Sequence, residues 1–198
     1  MRMEDDLATR EETTAVDEPV QTVQDDMQDV ADEARGRLVV FLRHGIAEER
    51  TEAKPDEERS LTPEGHTRMK RGALGLRKVF PKARAIYSSP LLRAVQTALW
   101  VSRAYRSRIE IHTTDALLPD ASEDVLTAFI ESLPESRVIL VGHEPSMSAG
   151  MMALLEVSGR TLELRKGGAC AVRIGGDDGE PSLEWVLSPR VLRRLSRS

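Results

Sequence analysis

The sequence predicts an α/β fold, a single domain in three layers (α/β/α) with helices on both faces of a mostly parallel central sheet. Three observations carry that prediction. Short apolar runs such as Leu38–Leu42 and Val138–Val141 alternate with longer segments whose apolar residues recur every three or four positions. Helix-opening pairs, a capping hydroxyl followed by proline, stand where the periodic segments begin, at Thr62-Pro63 and Ser89-Pro90. The chain of 198 residues is long enough for one sizeable core and too short for two comfortable ones.

The elements follow in order from residue 37. Residues 37–43 read as a buried strand, and 44–61 as a long charged loop. Thr62-Pro63 opens a helix whose buried face is marked by Met69, Ala73, Leu76 and Phe80. Residues 83–87 form the second strand. Ser89 as cap and Pro90 in the first turn open a helix through Tyr105, with Leu91, Val95, Ala98 and Val101 inside. Residues 108–112 are a short strand, and 122–133 a helix with Glu123 and Asp124 suited to its positive end. Residues 137–141 are a strand, and 145–157 a helix stopped by Gly159. Residues 169–174 and 182–187 read as two strands joined across a glycine-rich turn. The arginine-rich end, residues 190–197, reads as a solvated helix or tail.

Ahead of this domain, residues 1–36 form an acidic leader. They carry 12 acidic and 3 basic side chains, a net of −9, against 21 acidic and 25 basic in residues 37–198. That composition is one of disorder, although Val16, Val20, Val23, Met27, Val30 and Ala34 recur at helical spacing. Composition also excludes several classes. Aromatics make up 4%, too few for a base-stacking surface, so no nucleic-acid partner is expected. No apolar stretch reaches a membrane span and no secretory signal opens the chain. Cys170 is the single cysteine, which fits a reducing, cytoplasmic setting and rules out a disulfide framework. The four histidines lack ligand spacing, so no metal or other cofactor is expected. No GxSxG elbow surrounds Ser88, Ser89, Ser146 or Ser148, which argues against a serine hydrolase.

The candidate site comes from three segments that each follow a predicted strand. Leu42-Arg43-His44-Gly45 ends the first run, Ser88-Ser89-Pro90-Leu91-Leu92-Arg93 ends the second, and Gly142-His143 ends the fourth. In parallel sheets ligands bind beyond the carboxyl ends of strands, so these residues should converge. A neutral imidazole can accept a phosphoryl group, and arginines match its charged oxygens bidentately. Arg43 and Arg93 would also disfavour the imidazolium of His44. Gly45 and Gly142 permit close backbone approach. His66 and His112 have no motif around them, and Met147, Met151 and Met152 read as core filler.

The set FLRHG, SSPLLRAVQTA and LVGHEPS resembles the histidine phosphatase superfamily, which includes phosphoglycerate mutases and acid phosphatases. The resemblance spans about residues 37–190 and is closer to the small SixA-like phosphohistidine phosphatases. Arg59-Ser60-Leu61-Thr62-Pro63-Glu64-Gly65 and Trp185-Val186-Leu187-Ser188-Pro189 support that branch. It implies a phosphoglycerate mutase-like fold and a metal-independent reaction through a phosphohistidine intermediate. His44 would be the nucleophile; Arg43, Arg93 and His143 would form the phosphate pocket, with Gly45 and Ser89 adding hydrogen bonds. Larger members carry a carboxylate acid in a stretch corresponding to residues 117–124, which makes Asp120 the candidate acid. The expected substrate is phosphohistidine on a protein, such as a phosphorelay domain. The alternatives are a phosphomonoesterase on small phosphorylated metabolites and a non-catalytic phospho-binding module.

Overall fold

Six strands form one sheet in the order β3-β2-β4-β1-β5-β6. In the computed structural model, which describes residues 36–158, 162–175 and 179–197, the strands are β1 (Arg37–Arg43), β2 (Ala85–Ser88), β3 (Ile111–Thr113), β4 (Arg137–Gly142), β5 (Ala169–Ile174) and β6 (Ser182–Leu187). The helices are α1 (Pro63–Val79), α2 (Leu92–Ala104), α3 (Glu123–Ser132), α4 (Ser146–Leu154) and α5 (Pro189–Leu195). The pairs β1–β4, β2–β4 and β2–β3 are parallel, while β5 runs antiparallel to both β1 and β6. This is the expected three-layer, mostly parallel arrangement. The leader and its helix-period residues, and the stop at Gly159, lie outside the described residues.

Alternation along β1 builds the two faces. Leu38, Val40 and Leu42 join a core with α1, α2 and α5, whereas Val39 and Phe41 join a second core with α3 and α4. A strand buried on both faces reads as a continuous apolar run, which is why residues 38–42 show no polar alternation. Met147 and Met151 fill the second core. Thr62 caps α1 by accepting from the Gly65 amide at 3.0 Å, and Ser122 caps α3 by accepting from Val125 at 3.3 Å.

Two expectations need correction. Ser89 does not cap α2: the cap position is Leu91, and Leu91 and Val95 are half-buried instead of inside. The Ser89 hydroxyl is turned toward His143, and the buried face of α2 begins with Arg93 and Ala94. The arginine-rich end is not a free tail. Helix α5 docks on α1 through Leu192, which is 1% exposed, and Gly75 of α1 lies against the Leu192 carbonyl, where a side chain would collide. A helix of seven residues is marginal alone, so packing of Leu192 holds it.

Candidate active site

Register places the two histidines side by side. Arg43 is aligned with Gly142 across the parallel pair β1–β4, so His44 and His143 leave adjacent strand ends together. The His44 amide donates to the Gly142 carbonyl at 3.0 Å and the ring centroids are 4.9 Å apart. The Ser89 amide donates to Val141 at 2.9 Å, which brings the end of β2 to the same point. Both imidazoles are buried, at 6% and 2% exposure.

The tautomer of His44 follows from its neighbour. Its Nδ1 lies 2.7 Å from the Gly45 carbonyl oxygen, which can only accept, so Nδ1 carries the proton and Nε2 holds the free lone pair. Burial is the largest force on its protonation and pushes its pKa from 6.5 to about 3. The Gly45 hydrogen bond opposes this, and the charges of Arg93, Arg43 and Lys166 add to it. His143 is pushed down to about 2, again chiefly by burial, then by His44 and Arg93. The arginines act in the expected direction, but desolvation is the stronger cause.

Each arginine is held along one edge and left free on another. Arg43 Nη1 donates to the Leu164 carbonyl at 2.6 Å and to Glu163 at 3.2 Å. Arg93 donates through Nη1 to the Asp56 carbonyl at 2.7 Å and through Nη2 to the Asp56 carboxylate at 2.9 Å. The Nε atoms of both arginines, and Nδ1 of His143, are buried without a hydrogen-bond partner. Buried polar atoms are rarely orphaned. Two guanidinium donors and an imidazole nitrogen left open beside a free imidazole lone pair form a cradle for an oxyanion.

Second contacts fix this arrangement. The Gly45 amide donates to Thr97 Oγ1 at 3.1 Å, and Thr97 donates to the Arg93 carbonyl at 2.8 Å, tying the end of β1 to α2. The Gly167 amide reaches the carbonyls of Arg43 and His44, both at 3.0 Å. Ser89 Oγ sits 2.9 Å from His143 Nε2.

The structure thus gathers His44, His143, Arg43, Arg93, Gly45 and Ser89. Asp120 is not among them. It is exposed on a turn two residues beyond Leu118, whose carbonyl accepts from Ser146, and it makes no hydrogen bond or ion pair with the cluster. The carboxylate that does enter is Asp56, which sequence reading left inside the long loop. Besides Arg93 it meets Arg59 at 3.0 Å and Arg50 at 3.3 Å. Burial alone would raise its pKa, but the Arg93 hydrogen bond and the charges of Arg93, Arg59 and Arg50 outweigh burial and hold it below the ordinary carboxylate value. Among the described residues no three His, Cys, Asp or Glu side chains gather as a metal site would require, and no helix is long and apolar enough to cross a membrane. Of the remaining histidines, His66 accepts from Trp100 Nε1 at 3.0 Å, and His112 packs on Tyr87 at 5.1 Å.

Comparison with known proteins agrees with this geometry. Residues 39–118 match the family model described as histidine phosphatase superfamily (branch 1). An uncharacterized protein of Picosynechococcus sp. is 34% identical over 139 residues, covering 68% of this chain and 84% of that protein. The fold is similar to that of the protein histidine phosphatase SixA complexed with tungstate, with TM-score 0.69 and 22% identity over 78% of this chain and 99% of that one. A putative phosphohistidine phosphatase SixA from Agrobacterium tumefaciens gives TM-score 0.66 and 24% identity, covering 78% and 99%. A mycobacterial glucosyl-3-phosphoglycerate phosphatase gives TM-score 0.60 and 17% identity, covering 78% and 100%. With its two strand-end histidines and paired arginines, the chain belongs to the histidine phosphatase superfamily.

Proposed function

We propose that the chain is a phosphatase that takes the phosphoryl group onto Nε2 of His44, and that its preferred substrate is phosphohistidine on a partner protein. The orphaned Nε atoms of Arg43 and Arg93 would receive the equatorial oxygens, with His143 as a third donor once its Nδ1 carries the proton. The Nε2 lone pair attacks phosphorus, the P–N bond of the substrate breaks, and its electron pair returns to the substrate ring. A phosphoimidazole protonated on its second nitrogen leaves as neutral imidazole and requires no acid from the enzyme. Water then attacks the phosphorylated His44, Nε2 recovers its lone pair, and phosphate departs with the proton of the water.

One observation carries the choice of substrate. The carboxylate beside Arg93 is Asp56, held ionised by three arginines, so it cannot supply a proton to an alkoxide. A second reading, hydrolysis of a small phosphomonoester with Asp120 as acid, is supported by the fold shared with the glucosyl-3-phosphoglycerate phosphatase and would need the turn at Asp120 to close on the site. The separating experiment compares kcat/KM for a phosphohistidine protein, an aryl phosphate and a sugar phosphate. The order expected is phosphohistidine first, aryl phosphate next and sugar phosphate last. A winning sugar phosphate replaces this reading with the second one, and binding without turnover of any of them replaces both with a phospho-binding module. A cytoplasmic setting fits the single cysteine, buried beside Met151. The domain boundary is placed at residues 36 and 37, with the acidic leader outside the chemistry.

A further inference from the structure

Beside the histidine cluster lies a separate cavity of about 630 Å³ between the end of β1, the segment before β5, α1 and the start of α5. Six cationic side chains line it, Arg43, Arg68, Arg165, Lys166, Arg190 and Arg193, against one carboxylate, Glu163. Arg68 is paired along its helix with Glu64, but Arg165, Lys166 and Arg190 form no ion pair among the described residues. Crowding is felt within the cavity: Arg193 is held below its ordinary pKa by burial and then by the charge of Arg68, with Arg190 adding to it. Such an accumulation of like charge weakens the fold unless an anion relieves it.

We propose that this cavity binds a condensed-phosphate polyanion, two or three linked phosphoryl groups, with one end on Arg43. Three features select that chemistry. Five of the six cations are arginines, whose planar donors match phosphate oxygens two at a time. The volume suits a small molecule, and the charge density of linked phosphates matches a cluster confined to it, whereas an acidic peptide would spread its carboxylates along an extended chain. Glu163, the present counter-ion of Arg43 at 3.2 Å, has a side chain 74% exposed and is readily displaced by a stronger anion. Because Arg43 also belongs to the phosphoryl cradle, the bound polyanion competes with substrate. The inference uses the proposed function only for that competition.

Binding is measured by titration calorimetry on the full chain, with orthophosphate, pyrophosphate, tripolyphosphate and ATP. Tripolyphosphate should bind at least about tenfold more tightly than orthophosphate. The double variant Arg165→Ser/Arg190→Ser should weaken it by about tenfold or more while leaving turnover of phosphoramidate, a small substrate, unchanged; that turnover also reports that the variant is folded. A control pair outside the cavity, Arg106→Ser/Arg108→Ser, removes the same charge and should leave binding unchanged. ATP binding more tightly than tripolyphosphate identifies a nucleotide as the source, and weaker binding identifies free condensed phosphate. Equal affinity for orthophosphate and tripolyphosphate, or equal weakening by the cavity and control pairs, overturns the proposal. Repeating the titration in His44→Ala separates the two readings, since the cavity should still bind when no phosphoryl transfer is possible.

Discussion

Replacing Asp56 with asparagine distinguishes a carboxylate that positions Arg93 from one that donates a proton. The wild-type side chain accepts from Arg93 Nη2 at 2.9 Å, while the backbone carbonyl of the same residue accepts from Nη1 at 2.7 Å. Asparagine keeps the backbone contact and offers a neutral amide oxygen in place of the carboxylate. A hydrogen bond involving a charged group contributes roughly 1.5–3 kcal/mol, and a neutral acceptor retains about half of that. The positioning role therefore loses ~1 kcal/mol, about a fivefold fall in kcat/KM. Loss of a general acid instead costs about 10²–10⁴-fold and removes the alkaline limb of the profile. The assay is kcat/KM on a phosphohistidine protein from about pH 5 to pH 8, in parent and variant. A drop near fivefold at every pH, with the shape of the profile kept, is expected. A drop beyond about a hundredfold together with a lost alkaline limb would refute the argument that Asp56 is a fixed anion.

Three further outcomes follow from the geometry. Arg93→Lys keeps the charge but loses the edge that presents Nε, and turnover should fall by about 10²–10³, as for a missing oxyanion donor; kinetics equal to the parent would place Arg93 outside the cradle. His44 and His143 stay neutral in the fold down to about 3 and about 2 but titrate near 6.5 when unfolded. The unfolded chain then binds protons that the native one refuses, so stability is complete above about pH 7.5 and falls as pH drops through 6.5, by roughly 3 kcal/mol for the pair one unit below it; thermal melts of the parent and of His44→Gln/His143→Gln should show this slope in the parent only. Gly75→Ala sets a methyl group against the Leu192 carbonyl, and overpacking of ~2–3 kcal/mol less ~1 kcal/mol of helix propensity should lower Tm by about 2–8 °C; an unchanged Tm would mean that α5 does not dock on α1.

Local pattern made most of the fold legible. Residues 38–42 and 138–141 form strands because apolar runs of that length bury both faces, and β5 and β6 match the expected bounds. The histidines were legible for the same reason, since each closes such a run and adjacent parallel strands end together. What escaped depends on contacts distant in the chain. Asp56 meets Arg93 across 37 residues, and no periodicity reports such a pair, although Asp56 and Arg59 at helical spacing within the loop were a usable signal. Glu163, Leu164 and Gly167 hold the strand end from the segment before β5, again without a local signature. Ser89-Pro90 carries a genuine capping signal, but the hydroxyl is drawn to His143 instead, and α2 starts later. The docking of α5 was hidden because four arginines in residues 190–197 and a single buried leucine read as solvated.

The proposed reaction turns on Nε2 of His44 carrying the phosphoryl group during turnover. Brief mixing with phosphohistidine protein, quenching without acid and peptide mapping by mass spectrometry test it directly. An acid-labile, alkali-stable phosphoryl group is expected on the peptide containing His44, absent from His44→Ala, which also fails to turn over. Label on another residue, or continued turnover by His44→Ala, would contradict it.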